Sequence, residues 1–168
     1  MNALDLAFWG AALVALISTM LTVTGRNPVH ALLYLIVSLL AVAVIFFLLG
    51  APFAALLEVV VYAGAIMVLF VFVVMMLNLG DAAQQETRLL APRIWIGPGL
   101  LSMVLLAELL VLILPGIIDG TATQTPGAEV TVKQVGIALY GPYLLAVELA
   151  SMLLLGALVA AYHLGRGE

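Results

Sequence analysis

The sequence predicts an all-α membrane protein with five transmembrane helices, and three observations carry that prediction. Of its residues 66% are hydrophobic and only 8% charged, against roughly 25% charged residues in soluble domains, whose surfaces must be solvated. Apolar runs close to the ~20 residues that cross a ~30 Å hydrocarbon core recur five times along the chain. Short Gly- and Pro-containing breaks separate those runs and allow each to be bounded.

The spans fall at residues 4–23, 29–49, 53–77, 94–114 and 142–163, within a single membrane domain, 1–168. The amino-terminal Met1-Asn2-Ala3-Leu4-Asp5 lacks the basic flank and cleavage site of a signal peptide, so the first run counts as a span. It closes at Thr24-Gly25-Arg26-Asn27-Pro28, where Arg26 marks a water-facing turn. The second span carries no charge, and Gly50-Ala51-Pro52 leaves room only for a hairpin into the third. Asn78-Leu79-Gly80 ends the third span, and a polar loop with Glu86 and Arg88 follows. The fourth has Gly97-Pro98 in its first turn and Glu108 inside it. Residues 115–134, rich in Gly, Thr and Pro and carrying Asp119, Glu129 and Lys133, read as an outer loop. Gly141-Pro142 splits the last apolar stretch into a short surface segment and the fifth span.

Five spans place the termini on opposite sides. Arg26, Arg88, Arg93 and Arg166 follow the odd-numbered spans, while the other side has only Lys133. The positive-inside rule therefore predicts a periplasmic amino terminus and a cytoplasmic carboxyl terminus.

Composition narrows the chemistry. The chain has no cysteine, which excludes disulfides, thiolate metal sites, iron–sulfur ligation and thiol catalysis by its own residues. A net charge of −4 with no basic run gives no footprint for nucleic acid. No phosphate loop, Ser/His/Asp constellation, metal spacing or flavin or nicotinamide fingerprint is present, so no catalytic, cofactor-binding or metal-binding residue is expected. His30 and His163 fall near span ends and read as interfacial residues rather than haem ligands. Met75-Met76 and the Phe70, Phe72 pair read as packing or lipid-facing residues.

The segment from Glu58 to Leu79, EVVVYAGAIMVLFVFVVMMLNL, is read as the element around which the chain is organised. Its side chains shrink over Tyr62-Ala63-Gly64-Ala65-Ile66, where a helix could approach a neighbour closely or change its winding. Glu58 and Tyr62 stand four apart, and Ala65 and Leu69 continue the same stripe. An acid in hydrocarbon costs ~2.5 to 3.5 kcal/mol at a helix centre on insertion scales, so it needs a partner, a cavity or a proton. Glu58, Glu108 and Glu148 lie six, seven and six residues from Pro52, Pro115 and Pro142, which would set all three ~9 to 10 Å below the outer surface if those prolines mark span ends. Any of these three carboxylates could exchange protons with a buried water chain, with Glu58, Glu148 and Tyr62 the first candidates for a proton path; the alternative is that each acid is held neutral or hydrogen-bonded as structural glue.

The segments TGRNPVHALLYLIVSLLAVAVIFFLLGAPFAALLEVVVYAGAIMVLFVFVVMMLN and GPYLLAVELASMLLLGALVAAYHLGR closely resemble the subunit J family of bacterial NADH:quinone oxidoreductase, respiratory complex I, the counterpart of mitochondrial chain 6. WIGPGLL at the start of the fourth span agrees too. The resemblance implies a translocase subunit of the electron transport chain in the bacterial inner membrane. Its implied partners are the lipid bilayer and other membrane-arm subunits, especially the small subunit K and the quinone-module subunits A and H. It implies no redox role for this chain itself: FMN, iron–sulfur clusters and quinone are expected in other subunits. It also implies a π-bulge in the third helix, around Tyr62, Ala63, Gly64, Ala65 and Ile66, whose winding opens or closes a water path. A turn of about 100° beyond it would exchange Met67 and Val68 on the face toward that path. Glu108 is not part of the family pattern. A purely structural joint subunit, or a subunit of a related cation/proton antiporter, are the alternative readings.

Overall fold

The computed structural model describes residues 3–77, 92–119 and 129–166, and every regular element in them is a helix. Two compact units, Met1–Glu129 and Val130–Glu168, divide the chain.

In the first unit α1 (Ala3–Thr24) leads through a tight turn into α2 (Pro28–Leu48). The turn works because Asn27 caps α2: its side-chain oxygen accepts from the backbone N–H of Val29 at 3.1 Å and of His30 at 3.4 Å. Pro28 takes the first helical position, where its missing N–H costs nothing. At the other end of α2 the chain reverses through Gly50, whose φ of 80° is open to glycine without strain. Ala51 N–H reaches Phe46 O at 3.0 Å and Gly50 N–H reaches Phe47 O at 3.1 Å. This is a Schellman closure, which satisfies the last carbonyls of α2. The third element, α3, covers residues 52–77 in three pieces: α-helical Pro52–Leu57, π-helical Glu58–Ile66 and α-helical Met67–Leu77. Then comes α4 (Pro92–Asp119).

Small residues let these helices meet. Ala7, Ala11, Val14 and Ser18 form the buried stripe of α1, spaced so that they share one face. The core joins Ala11 and Val14 to Val37 and Ala41 of α2 and Leu105 of α4. Hydroxyls add to the α1–α2 seam: Thr19 Oγ1 and Ser38 Oγ lie 2.8 Å apart, and Ser38 Oγ donates to the Ala15 carbonyl at 3.3 Å. Within a bilayer, where apolar burial does not distinguish lipid from protein, such close packing and hydroxyl pairing hold helices together.

The second unit contains α5 (Val132–Tyr140) and α6 (Leu144–Gly165). Thr131 opens α5 with a reciprocal capping box: its hydroxyl accepts from Gln134 N–H at 3.3 Å, and its own N–H donates to Gln134 Oε1 at 2.9 Å. None of the apolar window of α6 is buried.

Among the described residues five helices are long and apolar enough to cross a membrane, at Leu4–Thr24, Pro28–Leu48, Pro52–Met76, Trp95–Leu114 and Leu144–Gly165. Each boundary lies within two residues of its sequence expectation. Two expectations need correction. The packing centre is α2, which touches α1, α3 and α4, and not the third span. Helix α4 continues through Pro115 to Asp119, because a proline removes one backbone donor without ending a membrane helix whose freed carbonyl finds another partner. Pro142 lies in the turn before α6, whose first helical bond is from Val147 N–H to Tyr143 O at 3.1 Å. Pro115 therefore marks no helix end, and the depth count for Glu108 loses its marker, whereas Pro142 stands two residues before the start of α6. Residues 120–128 of the expected outer loop, and the loop holding Glu86 and Arg88, lie outside the described residues.

Candidate functional site

The site grows from the middle of α3. Nine consecutive residues, Glu58–Ile66, are wound as a π-helix, in which the N–H of one residue reaches the carbonyl five back rather than four. The exit shows the change of pattern: Met67 N–H points at both Tyr62 O and Gly64 O. The sequence expectation of a bulge around Tyr62–Ile66 is met in place but not in length, because the wide winding begins four residues earlier, at Glu58 itself. Valines 59, 60 and 61 gave no local sign of this. β-Branched residues crowd a regular turn without specifying a wider one.

Gly64 makes the winding intelligible. A Cβ built there would stand 3.1 Å from the carbonyl oxygen of Val59, five residues back, and would meet no atom of another described element within 4 Å. The missing side chain thus makes room for a carbonyl of its own helix. Of the two uses foreseen for the small-residue run, the structure displays the change of winding; close approach to a described neighbour is absent at Gly64.

The sequence candidates sort by burial. Glu58, first residue of the π segment, is half-buried. Tyr62 is half exposed, and Ala65 and Ile66 are exposed. Ala63 and Gly64 are intermediate. At the exit the pattern sharpens: Met67 is 3% exposed, turned inward, while its neighbour Val68 is 64% exposed on the outside. Glu148 belongs to the second unit, where it is exposed on α6 and its backbone carbonyl accepts from Ser151 Oγ at 2.7 Å.

Beside the π segment lies an apolar groove of about 510 Å³, floored by Leu40, Val44 and Phe47 of α2 and walled by Ala55, Leu56 and Val59 of α3 and by Leu105, Leu106 and Leu109 of α4. Ser102 is its polar lining residue. Glu58 and Glu108 stand next in sequence to wall residues Val59 and Leu109. The groove was not foreseen from sequence, since apolar residues that line a void and those that face lipid have the same composition. Among the described residues there is no group of three His, Cys, Asp or Glu side chains that could hold a metal ion. The arrangement places the Glu58 carboxylate at the start of a wide-wound stretch inside a membrane-capable helix.

Comparison with known proteins bears on this geometry. The family model described as NADH-ubiquinone/plastoquinone oxidoreductase chain 6 matches residues 18–164. NADH-quinone oxidoreductase subunit J of Pseudomonas aeruginosa is 60% identical over 172 residues, with 98% of each chain covered. The subunit J of Escherichia coli K12 is 55% identical over 166 residues, covering 98% of this chain and 88% of that one. Subunit J of Buchnera aphidicola from Acyrthosiphon pisum is 46% identical over 163 residues, covering 96% and 94%.

Proposed function

The chain belongs to the NADH-ubiquinone/plastoquinone oxidoreductase chain 6 family, that of subunit J of NADH-quinone oxidoreductase, and from this premise we propose that it couples quinone reduction to proton translocation through the winding of α3. The observation that carries the proposal is the π-helical stretch Glu58–Ile66 inside a membrane-capable helix, with a carboxylate at its start and an inward Met67 beside an outward Val68 at its exit. Returning the stretch to regular winding would turn everything beyond it by about 100°. Met67 would then leave its inward place for the outward one that Val68 now holds, and a water file toward Glu58 and Tyr62 would open or close. Glu148 is the further proton-path candidate.

In this reading the chain transfers no electrons and holds no cofactor; FMN, iron–sulfur clusters and quinone reside in other subunits. It sits in the bacterial inner membrane with its amino terminus periplasmic and its carboxyl terminus cytoplasmic, beside subunits K, A and H. The names of its relatives favour the quinone oxidoreductase over an antiporter as the host complex.

Gly64→Val in the assembled complex tests the gate. A Cβ at position 64 presses on the Val59 carbonyl in the wide winding, and the β-branch stiffens the turn. Proton pumping in liposomes and NADH-driven quinone reduction are expected to fall together while assembly persists. Full coupled activity would remove the gating role and leave the structural joint, under which Glu58→Gln and Glu148→Gln are silent as well.

A further inference from the structure

One carboxylate outside the proposed gate has a seat of its own. Glu108 lies in α4 within the apolar window Trp95–Leu114, half-buried against α1. A Cβ at Gly10 of α1 would fall on the Glu108 carboxyl group, with Oε1 its nearest atom. Glycine at position 10 is therefore what leaves room for the acid between the two helices. Its Oε2 is sealed from solvent and has no hydrogen-bond partner among the described residues.

The charges around it do not complete the picture with an ion pair. The elements packed against α4 are α1 and α2, and their titratable groups are Asp5, His30 and Tyr34. Asp5 is itself an acid. His30 and Tyr34 stack edge to face, 4.8 Å between ring centroids. Tyr34 meets α4 at Gly97, where its hydroxyl occupies the space of a Cβ. Gly97 is eleven residues before Glu108, or ~16 Å along the helix. Arg26, in the turn between α1 and α2, belongs to that same far end. An unpaired carboxylate between membrane helices is unfavourable, and a buried oxygen with no donor is equally so. A proton resolves both, since it removes the charge and gives the buried oxygen a hydrogen to share with the α1 backbone or a water.

We propose that Glu108 is a proton-binding site, a carboxylic acid seated in the notch that Gly10 leaves between α1 and α4. The notch is formed by α1 and α4, outside the π segment of α3, so its test is separate from that of the gate.

The test uses the complete complex in liposomes, as wild type and as Glu108→Gln. Infrared spectra in water and heavy water are expected to show a carboxylic C=O band in the wild type that shifts on deuteration and is missing from E108Q. Identical carboxylic regions in the two would overturn the proposal, showing Glu108 to be ionised against a cation of another chain. Should E108Q fail to assemble, dicyclohexylcarbodiimide on the wild-type complex decides. The reagent takes the acid proton on nitrogen while the carboxyl oxygen bonds to its central carbon, and acyl migration to nitrogen then fixes the whole reagent as an N-acylurea with nothing lost. A Glu108 peptide carrying the reagent's mass supports the site, and an unmodified peptide overturns it. In a complex that assembles, Gly10→Ala is expected to shift the infrared band, because a methyl group takes the carboxyl's place.

Discussion

Gly50 and Asn27 show how much single residues decide in a chain with so few polar groups. Gly50 carries the one positive φ among the described residues, 80°, and any residue with a Cβ would be strained there by about 1–2 kcal/mol. Gly50→Ala is therefore expected to lower the thermal midpoint of the subunit in the detergent-solubilised complex, measured by its release on heating, without altering proton stoichiometry below that midpoint. Asn27→Ala removes the acceptor for two N–H groups of α2 at about 1 kcal/mol, and the same release measurement should show a smaller drop. Both residues were legible in the sequence, because Asn-Pro and Gly-Ala-Pro between apolar runs have few structural meanings. Gly10 and Gly97 were not. Each is defined by a side chain from a distant stretch, Glu108 or Tyr34, that occupies the space of its absent Cβ, and no local pattern announces such a pairing.

At the scale of the element, the five membrane-capable helices could be read from apolar run length, but which face of each is inward could not. In water an apolar stripe marks the core. In lipid both faces are apolar, and the inward face is marked instead by size, as in the Ala7, Ala11, Val14 and Ser18 stripe. Reading for small residues at helical spacing would have found that stripe, and with Ser38 and Ala41 the central place of α2. The length of the π segment was beyond such reading, since it depends on where carbonyls settle after packing. A wide winding accommodates roughly one residue more than a regular helix, which gives a sharp expectation. Deleting Val61 from within Glu58–Ile66 should relax the stretch to α-helix while keeping Met67 inward. The complex should then assemble on native gels yet lose proton pumping. Deleting Val71 instead, within regular Met67–Leu77, rotates all that follows and should block assembly.

For the molecule as a whole, α2 holds the first unit together, and Ala41 is fully buried where α1, α2 and α4 converge. Ala41→Leu forces a larger group into that junction, at about 1–3 kcal/mol, and is expected to reduce the amount of subunit in isolated membranes severalfold on immunoblots. Leu153→Ala on exposed α6 should leave that amount unchanged. The broad apolar exposure of α3 and α6 fits a subunit whose surfaces are finished by lipid and by neighbouring chains of the complex.

The three-residue reversal at Gly50 has a mechanical corollary. Because Ala51 and Gly50 are bonded back onto the last turn of α2, the upstream end of α3 is clamped and has no slack to take up torsion. Under the proposed gate, any uncoiling around Tyr62 would be exported in one direction, toward Leu77, as in a crank fixed at one bearing, and its free arm is where neighbouring chains would feel the stroke.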